Sequence, residues 1–328
     1  MDEPSKSPRG SALRSSARPV RRAVIDVGTN SVKLLVADVQ GRVVEPVRER
    51  SEQTRLGSGF YDTHRLKPVA VAHTARAVAE FAAEARELGA RSIRVFATSA
   101  ARDAINPDEL IGAIRKESGL PLEIISGERE ADWVFRGVIS DPVFAGKPLL
   151  IVDVGGGSTE FILGEGEHQH FRRSFKLGTV RLLEQLALSD PPTPEDWNTC
   201  RRRLNDFIER QIQPVLEPAL RAHGAKTVQL VGTGGTASIL ARVELGLGSF
   251  ERDRMEALRL TGDRVRHHRE TLWSLPLAER KKVKGLPANR ADVILTGVAI
   301  YGRLMTRLGF TDLRVSTRGL RFAAVMDE

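Results

Sequence analysis

The chain has 328 residues, 41% of them hydrophobic, which is enough to bury a full core and sits more comfortably as two domains than as one. Its 50 Lys+Arg against 42 Asp+Glu give a formal charge of +8, which favours anionic partners such as nucleic acid, nucleotide or polyanion without fixing the fold. A single cysteine, Cys200, excludes a disulfide frame and a thiolate cluster and fits a reducing cytoplasm, and no apolar run reaches the length of a membrane span.

Residues 1–21, rich in Ser, Pro and Arg, read as a disordered tail. Arg21-Arg22 does not make an export signal, because the following "AVIDVGTNSV" is interrupted by Asp26 and reads as a strand. "AVIDVGTNSVKLLV" from Ala23 is an apolar strand, a Gly turn and a second apolar strand, a hairpin by pattern. An extended stretch through Val43–Arg55 follows, then a helix over Val69–Leu88, the strand "IRVFAT", a helix from Pro107 to Glu117, a strand Leu122–Ser126 and a helix from near Gly127. "LIVDVGGGSTEFIL" from Leu150 then repeats the hairpin without a gap. Asp26 matches Asp153, Gly28 matches Gly155 and Ser31 matches Ser158, each 127 residues apart.

Beyond the second hairpin come a strand near His170–Phe175 and helices over Gly178–Leu188 and Pro194–Leu220. "TVQLVGTGGTASILARV" gives strand, Gly turn and helix. Helices around Asp253–Leu275 and Asn289–Leu308, a strand "DLRVS" and a terminal helix from Arg318 complete the chain. The alternation argues for an α/β protein of two duplicated lobes, each a mixed β-sheet with helices, and a cleft between them. Lobe I is expected over 22–130 and lobe II over 131–316, with a helix in 317–328 able to pack back on lobe I.

In the second strand of each hairpin, the Ser and the residue two further on share a face, so Ser31 goes with Lys33 and Ser158 with Glu160. Facing hairpins would bring a cation and an acid to one volume, with amides from both turns as a phosphate cradle. Gly155, Gly156 and Gly157 could equally serve only to turn the chain. Asp26 and Asp153 end apolar strands, where an unpaired carboxylate is costly. Mg²⁺ shared with substrate phosphates would satisfy them, as would capping of their own turns. In "GTGGT", Gly234 and Gly235 stand at a strand-to-helix corner that suits an anion or close packing. The pair His267-His268 cannot converge on one ion and reads as solvated, and Cys200 reads as a partly buried helix residue.

"DVGTNSVKLLV", "DVGGGSTEF" and "GTGGT", in that order on a duplicated frame, resemble the phosphate-1, phosphate-2 and third glycine motifs of the actin, hexokinase and Hsp70 superfamily, with its ribonuclease H-like lobes. With "FATSAARDAINPDEL", "LEIISGEREADWVFRGV", "LPANRADVILTGVAI" and "VSTRGLR", the set resembles the exopolyphosphatase and guanosine pentaphosphate phosphohydrolase family from Arg22 onward. The resemblance implies Glu130 of "SGEREA" as the catalytic acid residue that activates water. Arg129 stands where the family usually has another acid, and Glu128 suits the helix dipole. It also implies a phosphate-binding set of Gly28, Thr29, Asn30, Ser31, Lys33, Arg102, Gly155, Gly156, Gly157, Ser158, Thr159, Gly234 and Gly235. Asp153, Glu160 and Asp26 would lie at Mg²⁺.

The expected function is release of terminal orthophosphate from inorganic polyphosphate by a cytoplasmic homodimer, with no nucleic-acid or membrane partner. Guanosine pentaphosphate (pppGpp) is the rival substrate. A kinase of the same superfamily and a non-catalytic polyphosphate or nucleotide sensor are the other readings. Long family members append a helical domain after the second lobe, and the chain is expected to be a short form without it.

Overall fold

The computed structural model describes residues 18–224 and 227–327, so most of the expected tail lies outside the described residues. In the first lobe, β1 (Val20–Val27), β2 (Val32–Gln40), β3 (Val43–Glu52), β4 (Ser92–Ala97) and β5 (Leu122–Ile124) form a sheet in the order β3-β2-β1-β4-β5. In the second, β6 (Pro148–Val154), β7 (Thr159–Glu165), β8 (His168–Phe175), β9 (Gln229–Thr233), β10 (Arg259–Thr261) and β11 (Asp312–Val315) follow the order β10-β11-β9-β6-β7-β8. β1 and β6 hold equivalent central places. Each pairs antiparallel with the next strand and parallel with β4 or β9. The two-lobed α/β architecture is the one expected from the duplicated motifs.

Strand alternation divides the apolar side chains between three layers. Ala23, Ile25 and Val27 face an outer core with Val71, Ala75, Val78, Phe81 and Ala82 of the Pro68–Glu87 helix, whose three- and four-residue spacing puts them on one stripe. Leu150, Val152 and Val154 face the outer core of the second lobe, which includes Leu204, Leu240 and Val298. The alternate residues, Val24, Leu35 and Ala37 from one sheet and Leu149, Ile151 and Ile162 from the other, turn inward onto two shared helices. Those helices are Gly127–Ile139, through Trp133, Phe135 and Val138, and Leu320–Met326, through Phe322 and Val325. Burying a large apolar side chain contributes about 1.5–3 kcal/mol, so this middle layer, far more than any ion pair, joins the lobes.

Three local expectations change. β1 already begins at Val20, because Arg21 extends the ladder and forks onto Asp38 at 2.9 Å through both Nε and Nη2. The segment expected as one helix over Asp253–Leu275 is a short Arg252–Glu256 helix, β10 and a Gly262–Ser274 helix. Leu260 is buried as a strand residue opposite Leu313, and Thr261 Oγ1 caps the new helix by accepting from Arg264 N. The Pro194–Leu220 helix is interrupted by a π turn at Ile208–Ile212, just before Pro214, whose missing N–H cannot continue the ladder.

Candidate active site

The duplicated turns are the same structure twice. Gly28 N donates to Ser31 O and Gly155 N to Ser158 O, each at 3.0 Å, and in the paired strands Asp26 stands opposite Lys33 as Asp153 stands opposite Glu160. In both turns the carbonyls are drawn back into the protein. Thr29 O accepts from Gly57 N at 2.7 Å and Asn30 O from Arg55 N at 3.1 Å. On the other lobe, Gly155 O accepts from Thr179 N at 2.9 Å and Gly156 O from Val180 N at 2.8 Å and Arg181 N at 3.1 Å. Gly157 O takes Arg181 Nε at 2.8 Å. A trans peptide plane directs its N–H opposite to its C=O, so tethering these carbonyls aims the next amides, those of Asn30, Ser31, Gly156, Gly157 and Ser158, the other way. Their residues line a cleft of about 440 Å³.

The turns meet directly. A Cβ on Gly156 would sit 3.0 Å from Thr29 Cβ, and one on Gly157 would sit 2.5 Å from Ser99 Oγ and 2.8 Å from Thr29 Oγ1. Glycine is required here by approach of the opposite lobe, over and above any need of the turn itself. Gly234, at φ +79°, is the corresponding device in the third motif, since a side chain on it would overlap the Asp153 carboxylate. Gly235 has open space around it. Buried Tyr301 donates to Val152 O at 3.0 Å or Thr233 O at 3.2 Å, pinning the ends of β6 and β9 side by side.

Four carboxylates converge in the cleft, with Lys33, Arg290 and Arg321 among the cations that also line it. Burial raises the pKa of Glu130 to about 7, opposed by the Arg102 charge and hydrogen bond and assisted by Asp26 and Asp153. Asp153 is raised to about 6 by burial, with Lys33 pulling down and Asp26 pushing up. Asp26 is also raised by burial, against Lys33 and Arg321. Glu160, 1% exposed, is pushed well up by burial and then by Glu130 and Asp153, although Ser174 Oγ donates to its Oε1 at 2.7 Å. Lys33 is lowered by burial and held up by Asp26.

The Asp26 carboxylate has a buried oxygen, Oδ1, with no hydrogen-bond partner, an acceptor suited to a cation or its water. Among the described residues no three His, Cys, Asp or Glu side chains form a closed metal-ligand set. The unpartnered Asp26 oxygen fits Mg²⁺, which keeps much of its water and uses one or two carboxylates plus substrate phosphate. A divalent cation among these acids would also reverse the upward push on their pKa values.

Glu130 lies in the first turn of the Gly127–Ile139 helix, whose N-cap Ser126 Oγ accepts from Arg129 N at 3.1 Å. Arg102 Nη1 donates to Glu130 Oε2 at 2.9 Å and to Ile125 O at 3.0 Å. Thr159 sits at the start of β7, and its hydroxyl donates to Leu177 O at 2.6 Å, so the side chain serves the backbone behind the turn. Arg129 points elsewhere, lying over the Trp133 ring at 4.6 Å and bonding Glu123, and adds little charge to the cleft. His268 corrects the solvated reading: it is buried and its Nε2 lies 2.5 Å from Glu244 Oε2, while Arg264 shares that carboxylate. Cys200 is fully buried, and burial raises its thiol to about 12.

Sequence reasoning missed a clasp between the lobes. The Thr179–Glu184 helix carries Arg181, whose Nη2 reaches Asp103 Oδ2 at 2.7 Å and whose guanidinium lies 4.1 Å over the Tyr61 ring. It also carries Glu184, whose carboxylate accepts from Gly59 N at 2.5 Å and Tyr61 N at 3.3 Å. On a separate flank, Arg55 pairs with Asp292 at 2.8 Å, and Arg252 bonds Glu49, which Arg321 also reaches at 3.2 Å.

The chain is similar to known proteins over most of its length. Residues 35–328 match the Ppx/GppA phosphatase family model. The chain is 34% identical over 310 residues to "Exopolyphosphatase 2" of Mycobacterium tuberculosis, covering 90% of this chain and 94% of that protein. Among solved structures it is similar to the Aquifex aeolicus PPX-GPPA enzyme, with TM-score 0.74, 29% identity and coverage of 94% of this chain and 99% of that one. It is likewise similar to an exopolyphosphatase from Cytophaga hutchinsonii, with TM-score 0.82, 26% identity and coverage of 92% and 96%.

Proposed function

The chain belongs to the Ppx/GppA phosphatase family, and on that premise we propose that it is an exopolyphosphatase, releasing terminal orthophosphate from inorganic polyphosphate by attack of water. The observation that carries the reading is the meeting of the two carbonyl-tethered turns, which offers amides from both lobes to neighbouring phosphates. Phosphoryl transfer needs little covalent chemistry from the protein, so most of the acceleration comes from positioning and charge compensation. Gly28–Ser31 and Gly155–Ser158 hold successive phosphates, and Lys33, with Gly234 and Gly235 beside Asp153, extends the cradle. Glu130 orients and deprotonates the water, a role suited by a carboxyl lifted to about 7. Arg102 fixes Glu130 and, as the family resemblance implies, would also contact a terminal phosphate.

Asp153, with Asp26 and Glu160 beside it, would hold Mg²⁺, which when bound neutralises charge developing on phosphate oxygens. The reading includes a cytoplasmic homodimer, supported by the family resemblance and by a lone, buried cysteine. Among the described residues no helix is long and apolar enough to cross a membrane.

One observation favours pppGpp as a second substrate reading. The cleft continues along the Gly234–Leu245 helix to Ile239 and Arg242, about 12 Å beyond Gly234 at 1.5 Å per residue, where Phe250, Pro287 and Val293 also line it. Inorganic polyphosphate has no use for an apolar wall, whereas a nucleoside does. Phosphate release from short polyphosphate, long polyphosphate, pppGpp and ATP, each with and without Mg²⁺, decides among these readings. Binding without release from any of them would favour a sensor.

A further inference from the structure

On lobe II the Pro194–Phe207, Gly262–Ser274 and Ile294–Leu308 helices pack side by side, and arginines cross-link them. Arg303 Nε donates to Asn205 Oδ1 at 2.9 Å, Arg269 lies 4.1 Å over the Trp197 ring, and Arg307 pairs with Glu209 in the π turn. The charge gathered this way is poorly neutralised. Arg201 and Arg303 have only neutral partners, the side-chain oxygens of Asn198 at 3.3 Å and Asn205, and among the described residues neither has an ion-pair partner. Arg266 and Arg269 pair only with acids of their own helix, Asp263 and Glu270. Burial lowers the pKa of Arg303, and the charges of Arg307, Arg201 and Arg269 lower it further. Burial likewise lowers Arg269, with Arg266 and Arg201 pushing the same way against Glu270. Self-repulsion of this kind costs stability, and a merely solvated helix face would interleave acids with its cations.

We propose that this arginine cluster, centred on Arg201 and Arg303, is a second binding site for inorganic polyphosphate, holding the distal part of a chain whose end lies in the cleft. The choice of polyanion rests on the exopolyphosphatase reading. One helix joins the two places. Ile294 lines the cleft, and Arg303 stands nine residues along the same helix, about 14 Å away at 1.5 Å per residue. A long chain can occupy both sites at once, and the second contact is then intramolecular and adds to affinity without changing the chemistry. Tripolyphosphate is too short to do so. The face suits bare phosphates rather than nucleic acid, because single strands are gripped by stacking their bases on open aromatic rings. Trp197 offers no such ring, having one face under Arg269 and packing edge-on against Trp273. Among the described residues no exposed large apolar side chain belongs to these helices.

Binding is measured by fluorescence anisotropy of end-labelled long-chain polyphosphate on full-length Lys33→Ala protein in EDTA, where the cleft is weakened. Adding Arg201→Ala and Arg303→Gln should weaken it by about tenfold or more, as loss of two charge-assisted contacts would. Arg201→Glu alone, at an exposed position, should weaken it in the same direction and does not disturb the bond to Asn205. In otherwise wild-type protein, Arg201→Ala/Arg303→Gln should raise the KM for long-chain polyphosphate by about tenfold, with kcat and the KM for tripolyphosphate unchanged. Equal KM shifts for the two substrates, or unaltered anisotropy in both sets of variants, overturns the proposal. Single-stranded RNA that binds as tightly as polyphosphate, and is lost with the same substitutions, gives the face to nucleic acid and also overturns it. Absence of phosphate release in every protein is instead the failure of the exopolyphosphatase reading, and the anisotropy then decides the second site by itself.

Discussion

Arg102 Nη1 donates to Glu130 Oε2 at 2.9 Å, so the cation that the family resemblance gives to phosphate also grips the expected base. Burial and Arg102 pull the Glu130 pKa in opposite directions, burial prevails, and the carboxyl lies at about 7. A base works deprotonated, so kcat/KM should rise with pH along an acidic limb that Mg²⁺, by opposing the effect of burial, sets below about 7. Arg102→Gln removes the downward pull, and the acidic limb should move to higher pH. A pH–rate profile of that variant with an unmoved limb would remove Glu130 from the role. Glu130→Gln itself should lose about 10²–10⁴-fold in kcat while still binding polyphosphate.

The same buried acids cost stability when ionised. A carboxyl raised in the folded state binds its proton more tightly folded than unfolded, so its contribution is favourable at low pH and is lost as pH rises from the ordinary value of 4.5 through about 7. Metal-free Glu130→Gln should therefore be more stable than the parent at pH 8, by roughly 1–3 kcal/mol, with the gap closing near pH 4.5. Chemical denaturation in EDTA at both pH values measures it. A constant gap would show that ionisation is not its source.

Gly157→Ala and Gly235→Ala separate close approach from mere turn chemistry. The first puts a methyl against Ser99 and Thr29 of the other lobe and should reduce stability by about 1–3 kcal/mol and depress turnover. The second enters open space and should leave stability within about 0.5 kcal/mol of the parent. Thermal melts of the pair, with equal losses in both, would refute the steric account.

Arg181→Lys retains charge but cannot hold Gly157 O, Asp103 and the Tyr61 face together. It should raise KM for polyphosphate by about tenfold with a smaller change in kcat. Arg181→Ala should lower both catalytic efficiency and kcat, because the turn loses its tether as well as its charge. Steady-state kinetics in which Lys and Ala behave alike would mean that the side chain is simply core packing.

The parts legible in the sequence are those in which local chemistry and global fold agree. Asp153 and its glycines lie on one short segment that repeats Asp26 and Gly28, and hairpin register follows from apolar alternation, so placement of these residues needed no distant partner. Arg181 and Asp103 are 78 positions apart, and Glu184 and Gly59 are 125 apart, joining different lobes through side chains that any exposed helix could carry. His268 failed for the same reason, since its burial is set by Glu244 and the packing of another helix. β10 spans three residues, too few for a period of two to stand out against the helical pattern around it.

The helix Leu320–Met326 lies between the two sheets and buries Phe322 and Val325 against first-lobe strands far earlier in the sequence. During synthesis, the first lobe therefore emerges from the ribosome with part of one greasy side of its sheet uncovered, and it stays so until this helix has been made. Nascent chains halted before that point should be wards of chaperones, prone to clumping.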